Sequence, residues 1–481
     1  MYDTDCPAAQ PSLLPADSPR ILIVGPSPEV DGLVLHLQGM LDGDSAYSDS
    51  LVTGVASASQ SETDISVGGV SLMNFFYRPE GREGRLSPLT RPWSHVVLLE
   101  AAAKVGFPEL YFEGVRVLAC HARAAGARPL LLMNWFYLPE PGVPDSNSIR
   151  HHEVTYRVGN GTGSVVVPAG YAWDAVGMTG PDVAWGLDDV FLASATLYST
   201  LTDRSAADTG YLPDGMGSDH GAHLADTALE TVRVEAQKTH YETAYKGRVE
   251  MRETSAVGDL WFMASGSSSE QIWVDRMVEI LPRADLTPQG TLLGYTNPSK
   301  VFDEASLEVA APHFEQQQYS ILFARGYGGD VNDGFDATTI RNVGAQPDLQ
   351  VQLWDRHLDS DPSDGVMAIE RMEYLLTGRW RIAWYRGLAL IPYHLLFAKL
   401  KTMEPSIQLL SDGVHATFPV GYGLATMSLV SRLGIGASVE GLDPDTRLAA
   451  QLAEETIRHL SSLSVSGAFV PDDPSSRPSL R

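Results

Sequence analysis

Short apolar runs alternate with helical patterns along most of the chain. Ile21–Val24 (ILIV) runs through Gly-Pro-Ser into EVDGLVLHLQGML, whose apolar positions recur at helical spacing. VRVLACHARAAGA then reads as a helix, PLLLM as the strand after it, and LADTALETVRVEAQ as another helix. Strand–helix–strand alternation predicts parallel strands with helices on both faces, joined by right-handed crossovers.

The same order of patterns occurs twice. ILIVGPSPEVDGLVLHLQGML near Ile21 resembles LWFMASGSSSEQIWVDRMVEIL near Leu260, each an apolar strand, a Gly-x-Ser turn and a helical pattern, with Ser27 matching Ser268. GARPLLLMNW from Gly126 pairs with GAQPDLQVQLW from Gly344, and VVVPAGYAW from Val165 with ALIPYHLLF from Ala389 through Pro168 and Pro392. GPDVAWGLDDVF, ending at Phe191, pairs without gaps with EPSIQLLSDGVH, ending at His415; ALETVR from Ala228 pairs with AEETIR from Ala453. Five ordered correspondences predict a duplication. The expected organisation is a leader over 1–19, one α/β domain over 20–245, a second over 258–465, and a polar tail over 466–481.

Composition narrows the function. The 481 residues include 44% hydrophobic and 20% charged positions, as in globular proteins, and carry a net charge of −26 with no Lys/Arg run. Such a surface repels phosphate backbones and anionic lipid, so neither nucleic acid nor a membrane is the expected partner. Cys6 and Cys120 are the only cysteines, which excludes a thiolate metal site and argues against a disulfide framework. The first residues read as no signal peptide, and no apolar run is long enough to span a bilayer; the expected location is cytoplasmic.

Two features carry chemistry. In an open parallel sheet, ligands collect at the carboxyl ends of the strands, where each Gly-x-Ser turn delivers its serine. Asp412-Gly-Val-His415 precedes a helical pattern; on one tight loop the carboxylate can hold one imidazole nitrogen while the other faces a serine that needs a base.

On Gly266-Ser267-Ser268 and Asp412-Gly413-Val414-His415-Ala416-Thr417, the chain resembles the SGNH, or GDSL-type, hydrolases. The resemblance implies two tandem doubly wound, flavodoxin-like three-layer α/β domains, and a catalytic set of Ser268, Asp412 and His415. It also implies an oxyanion hole, for which Gly294 and Asn332 are the candidates, with Asn297 an alternative; no clean Gly-x-Asn-Asp is present. No metal or organic cofactor is implied. In the first half the counterparts are Ser27, Gly69, Asp188 and Phe191, with Phe191 where the histidine should be. About eight residues after it would then be deleted, since LASATLYSTL from Leu192 resumes opposite LATMSLVSRL from Leu424. A substitute base for Ser27 would have to come from His36, His95, His151 or His152, and the first half reads as degenerate.

Other signals are weaker. Asp219-His220-Gly-Ala-His223 looks metal-like but reads as a solvated linker, and His151-His152 and His357 are no stronger as metal ligands. RWRIAWYRG from Arg379 reads as a packed strand with snorkelling arginines, although such side chains also line carbohydrate clefts. The expected function is a serine esterase or deacetylase acting on a small-molecule or carbohydrate ester. The alternative is a pair of pseudo-hydrolases that bind a glycan or a protein. Oligomeric state is not legible.

Overall fold

The structure is a computed structural model that describes residues 18–26, 29–47, 49–57, 71–77, 82–101, 105, 108–135, 148–177, 186–238, 240–241, 249, 251, 259–264, 292–294, 319–325, 350–354, 389–409, 416–434, 436, 439–463 and 468–469. The chain divides into two compact units, the first comprising Met1–Phe76, Gly81–Tyr245 and Ser466–Arg481 and the second Tyr77–Glu80 and Lys246–Val465.

The first unit is α/β. Its strands β1 (Arg20–Pro26), β2 (Leu51–Ser57), β3 (His95–Leu99), β4 (Arg128–Leu132) and β5 (Val165–Val167) form one sheet in the order β2-β1-β3-β4-β5. Every pair in it is parallel. This is the flavodoxin-like order, and its switch point lies between β1 and β3. Strands β1 and β3 are buried almost end to end, which is why they read as continuous apolar runs and not as alternating ones.

Helices cover the sheet: α1 (Glu29–Gly43), α2 (Leu72–Tyr77), α3 (Arg82–Leu86), α4 (Pro108–Ala124), α5 (Ser148–Thr162), α6 (Ala169–Ala175), α7 (Leu187–Thr202) and α8 (Ser218–Glu235). Ile21, Ile23, Val97, Leu130 and Leu132 from the strands meet Leu33, Leu37 and Met40 of α1 and Phe191, Leu197 and Leu201 of α7 in one core. Cys120, in α4, is disulfide-bonded, against the expectation from the cysteine count; Cys6 lies outside the described residues.

Named contacts fix the directions of three helices. A Cβ on Gly32, in the first turn of α1, would meet Val190 Cγ1, in the first turn of α7. At the other end of α1, Asp44 accepts hydrogen bonds from Tyr198 Oη (2.7 Å) and Arg204 Nη1 (3.0 Å), so α1 and α7 run parallel. Asp188 pairs with His220 at the start of α7 and α8, and Asp203 with Arg233 at their ends, so α8 is parallel to α7 as well.

Gly54 lets α1 approach β2: a Cβ there would lie 2.5 Å from Val30 Cγ1 and 3.0 Å from Val34 Cγ2. Gly54→Ala is therefore expected to destabilise the first unit by about 1–3 kcal/mol through overpacking. The change should appear as a lower urea midpoint at unchanged slope, and an unchanged midpoint would show that α1 yields freely.

Past a two-residue strand of the first unit, β6 (His240–Tyr241), the second unit's β7 (Asp259–Ala264), β8 (Leu292–Gly294), β9 (Tyr319–Arg325), β10 (Gln350–Trp354) and β11 (Ala389–Ile391) form a separate parallel sheet. Its order, β8-β7-β9-β10-β11, repeats that of the first sheet. Helices α9 (Tyr393–Met403), α10 (Phe418–Leu433) and α11 (Pro444–Ser462) follow the last strand. Among the described residues, no helix is long and apolar enough to cross a membrane.

Candidate active site

Of the residues expected to carry chemistry in the second half, Ser268, Asn297, Asn332, Asp412 and His415 lie outside the described residues, as do His357 and 379–387. What is described is the frame around them. Strand β7 ends at Ala264, four residues before Ser268. Residues 410–415, which include Asp412 and His415, run between Leu409 and Ala416. That stretch is tied at its base: the Thr417 backbone N–H donates to Leu409 O (3.0 Å), and Thr417 Oγ1 donates to Gln408 O (2.7 Å). Thr417 is also the N-cap of α10, so the described residues on either side of the stretch meet at the start of that helix.

Gly294 ends β8 and stands in register with Ala264. The 241-residue spacing of Ser27 and Ser268 puts Ala264 at Ile23, which pairs with Gly54. The register counterpart of Gly294 is thus Gly54, and Gly69, twelve residues past the end of β2, lies outside the described residues. In the first unit that glycine makes room for a helix, a role the sequence alone did not separate from oxyanion binding.

Asp188 and Phe191 are the other expected counterparts in the first half. Both lie inside α7, in its first two turns, whereas Asp412 and His415 precede α10. The Leu192–Leu424 match sets the two helices 232 residues apart and puts Phe191 opposite Gly423, not His415. On that match, the eight-residue offset falls before α7, outside the described residues, and not after Phe191. A buried helix cannot lose two turns where a surface connection can. Phe191 is a core side chain, 1% exposed, set edge-on to His36.

Of the four histidines first considered for Ser27, His36, His95 and His152 are buried. His36 is buried between α1 and α7, with Nδ1 2.9 Å from Tyr211 Oη, and burial lowers its pKa. His95 opens β3, at the amino end of the sheet; burial, then the nearby Arg128 charge, lowers its pKa to about 3. His152 is held at about 4 by burial, with Nδ1 3.5 Å from Asp174 Oδ2 and its ring on Tyr171. Only the helical placement of His151 is described, in α5.

The histidine that sequence reasoning passed over is His220. It sits in the first turn of α8, not in a linker, and its Nε2 lies 2.8 Å from Asp188 Oδ2. Both side chains are half exposed, at 48% and 42%. The available signal was the helical spacing that follows Ser218. His223 lies on the same helix, and among the described residues no group of three His, Cys, Asp or Glu could hold a metal.

Glu29 opens α1, two residues after Ser27; its carboxyl is buried and raised in pKa, with Oε2 unpartnered. Glu100, at the end of β3, accepts hydrogen bonds from the backbone N–H groups of Leu72 and Ala101. Two buried carboxyls thus flank the first sheet's switch point.

No protein-family model matches the chain, and no curated protein does. Among solved structures, it is similar to a DUF4886 family protein from Bacteroides uniformis, at 15% identity and a TM-score of 0.37 over 47% of this chain and 98% of that one. It is also similar to LAE5, an α/β hydrolase enzyme from the metagenome of Lake Arreo, at 15% identity and 0.29, over 42% and 100%. A protein described as a GDSL-like lipase, from Parabacteroides merdae, gives 14% and 0.26, over 39% and 98%. At these scores none of the three transfers an activity to this chain.

Proposed function

We propose that the two units are copies of one SGNH-type fold, and that the second is a serine esterase acting on a small or carbohydrate ester. The observation that carries this is the start of α7: it lies beside the first turn of α1, through Gly32 and Val190. The described start of α7 is thus close to the start of α1, the helix that follows the first strand. The second unit, with the same strand order, has its Asp412–His415 stretch tied to the start of the corresponding helix through Thr417.

In this reading, Ser268 attacks the ester carbonyl, and His415 takes its proton and passes it to the leaving alcohol. Asp412 holds the imidazole tautomer and stabilises its charged form. The Ser268 backbone N–H and Asn332 hold the oxyanion, with Gly294 a third candidate that the packing role of Gly54 weakens. No cofactor takes part in these steps.

Treatment of the wild-type chain with a fluorophosphonate, followed by peptide mapping, tests the proposal. An adduct on Ser268, with turnover of a short-chain nitrophenyl ester, is the expected result. A chain with neither is a binding protein.

A further inference from the structure

We infer that residues 7–17 form a strap on the first unit. A Cys6–Cys120 disulfide pins one end, β1 holds the other, and Leu13 and Leu14 occupy a groove between the two anchors. The strap lies outside the described residues, but the groove, Cys120 and the start of β1 lie within them.

The groove has a volume of about 610 Å³ and two walls. One is α3 with the turn of 3₁₀ helix that follows it, Ser87–Thr90, and presents Leu86 and Leu89. The other is the last turn of α4, which presents His121 and Ala124. Leu89 is buried at its floor, and His121 and Ala124 are exposed. Both walls stand at the amino end of the first sheet, since α4 leads into β4 and Ser87–Thr90 into β3.

Each anchor borders one wall. Cys120 is disulfide-bonded, and Cys6 is the only other cysteine in the chain, so the bond returns residue 6 to α4. Disulfide geometry brings two Cα atoms within about 7 Å of each other. Cys120 precedes Ala124 by four residues and is its neighbour on the helix surface. At the other end, Arg20 sits against the opposite wall. Its guanidinium lies over the Trp93 ring, 5.6 Å from the centroid, and Trp93 Nε1–H donates to Pro88 O (2.5 Å) in the 3₁₀ turn. The strap therefore leaves one wall and returns to the other.

Length and composition fit this path. The chain from Cys6 to Ser18 reaches about 40 Å when extended. Cys120 lies at most about 20 Å from Arg128 along the chain, and the Arg128 N–H donates to Ser94 O (2.9 Å), beside Arg20. The strap thus has slack enough to enter the groove. Residues 7–17 read PAAQPSLLPAD, and their three prolines restrict the backbone, so little entropy is lost on docking. Leu13 and Leu14 are the only large apolar side chains in that run, and Leu86, Leu89 and Ala124 offer them an apolar surface.

Photo-cross-linking of the full chain tests the inference, with Leu13→p-benzoylphenylalanine in one preparation and Leu14→p-benzoylphenylalanine in another. The irradiated chain is digested without reduction and its peptides are mapped. The expected result is a disulfide joining the Cys6 and Cys120 peptides, with a cross-link from position 13 or 14 to residues 83–90 or 121–125. Cys6→Ser should lower the cross-link yield about tenfold, because one of two tethers is lost. Leu86→Glu, which keeps the disulfide and alters only the groove, should lower it as well. Absence of the Cys6–Cys120 peptide, cross-links confined to other segments or to a second chain, or a yield that neither variant lowers would each overturn the inference.

Discussion

Ser268→Ala is expected to lower ester turnover by about a millionfold in kcat, because the members of a catalytic triad act as a unit. His415→Ala should cost about as much, and adding it to Ser268→Ala should cost almost nothing more, since the second loss removes a base with no nucleophile to activate. Asp412→Asn should cost about ten-thousandfold, by leaving the imidazole in the wrong tautomer. The measurement is nitrophenyl acetate turnover at saturating substrate. It should be made in chains that also carry Ser27→Ala, so that any slower hydrolysis from the first unit is removed. Wild-type turnover in a Ser27→Ala/Ser268→Ala chain would mean that neither strand-following serine carries the reaction.

The fold class was legible because parallel strands buried on both faces leave continuous apolar runs, and Ile21–Val24 and Val96–Leu99 are such runs. The first strand of each unit, and the Pro168 and Pro392 that open α6 and α9, were legible for the same local reason: a strand, a break and a helix in close succession. The catalytic counterparts in the first half were not. Phe191 falls opposite His415 only if the gap is placed inside a helix, and an ungapped match carries no information about where a helix begins. The same limit hid Gly54, since its pairing with β1 is a fact of register, and His220, whose partner is 32 residues away on another helix.

Cys120 shows a further limit. Two cysteines in 481 residues suggested no structural disulfide, yet Cys120 is disulfide-bonded. Such bonds persist mainly outside the reducing cytosol. Alkylation of the denatured, unreduced protein should leave Cys120 unmodified, and reduction should expose it. Alkylation of Cys120 before reduction would show that the bond does not form in solution.

The first unit should lose stability steeply between neutral pH and about pH 4, and its buried histidines supply the reason. His152 and His95 have folded-state pKa values lowered from 6.5 to about 4 and about 3, in both cases chiefly by burial. Below 6.5 the unfolded chain binds protons at these two positions and the folded chain does not. Their contribution to stability is therefore fully present above 6.5 and is lost as the pH falls through the folded values. Each unit of pH in that window costs roughly 1.4 kcal/mol per histidine. At pH 5 the two together cost about 4 kcal/mol, which is much of the 5–15 kcal/mol typical of a whole domain. Asp44 adds to acid lability at lower pH: burial raises its pKa, but hydrogen bonds from Tyr198 and Ala46 and the Arg204 charge outweigh that and leave it lowered. Glu29 and Asp174, both raised by burial, act in the opposite sense nearer the carboxylate range. His152→Gln should flatten the dependence of unfolding free energy on pH between about 6 and 4.5 by roughly 1.4 kcal/mol per pH unit, read from urea titrations of the full chain. An unchanged slope in that variant would mean that His152 is charged in the folded protein, with Asp174, 3.5 Å away, as its counter-ion.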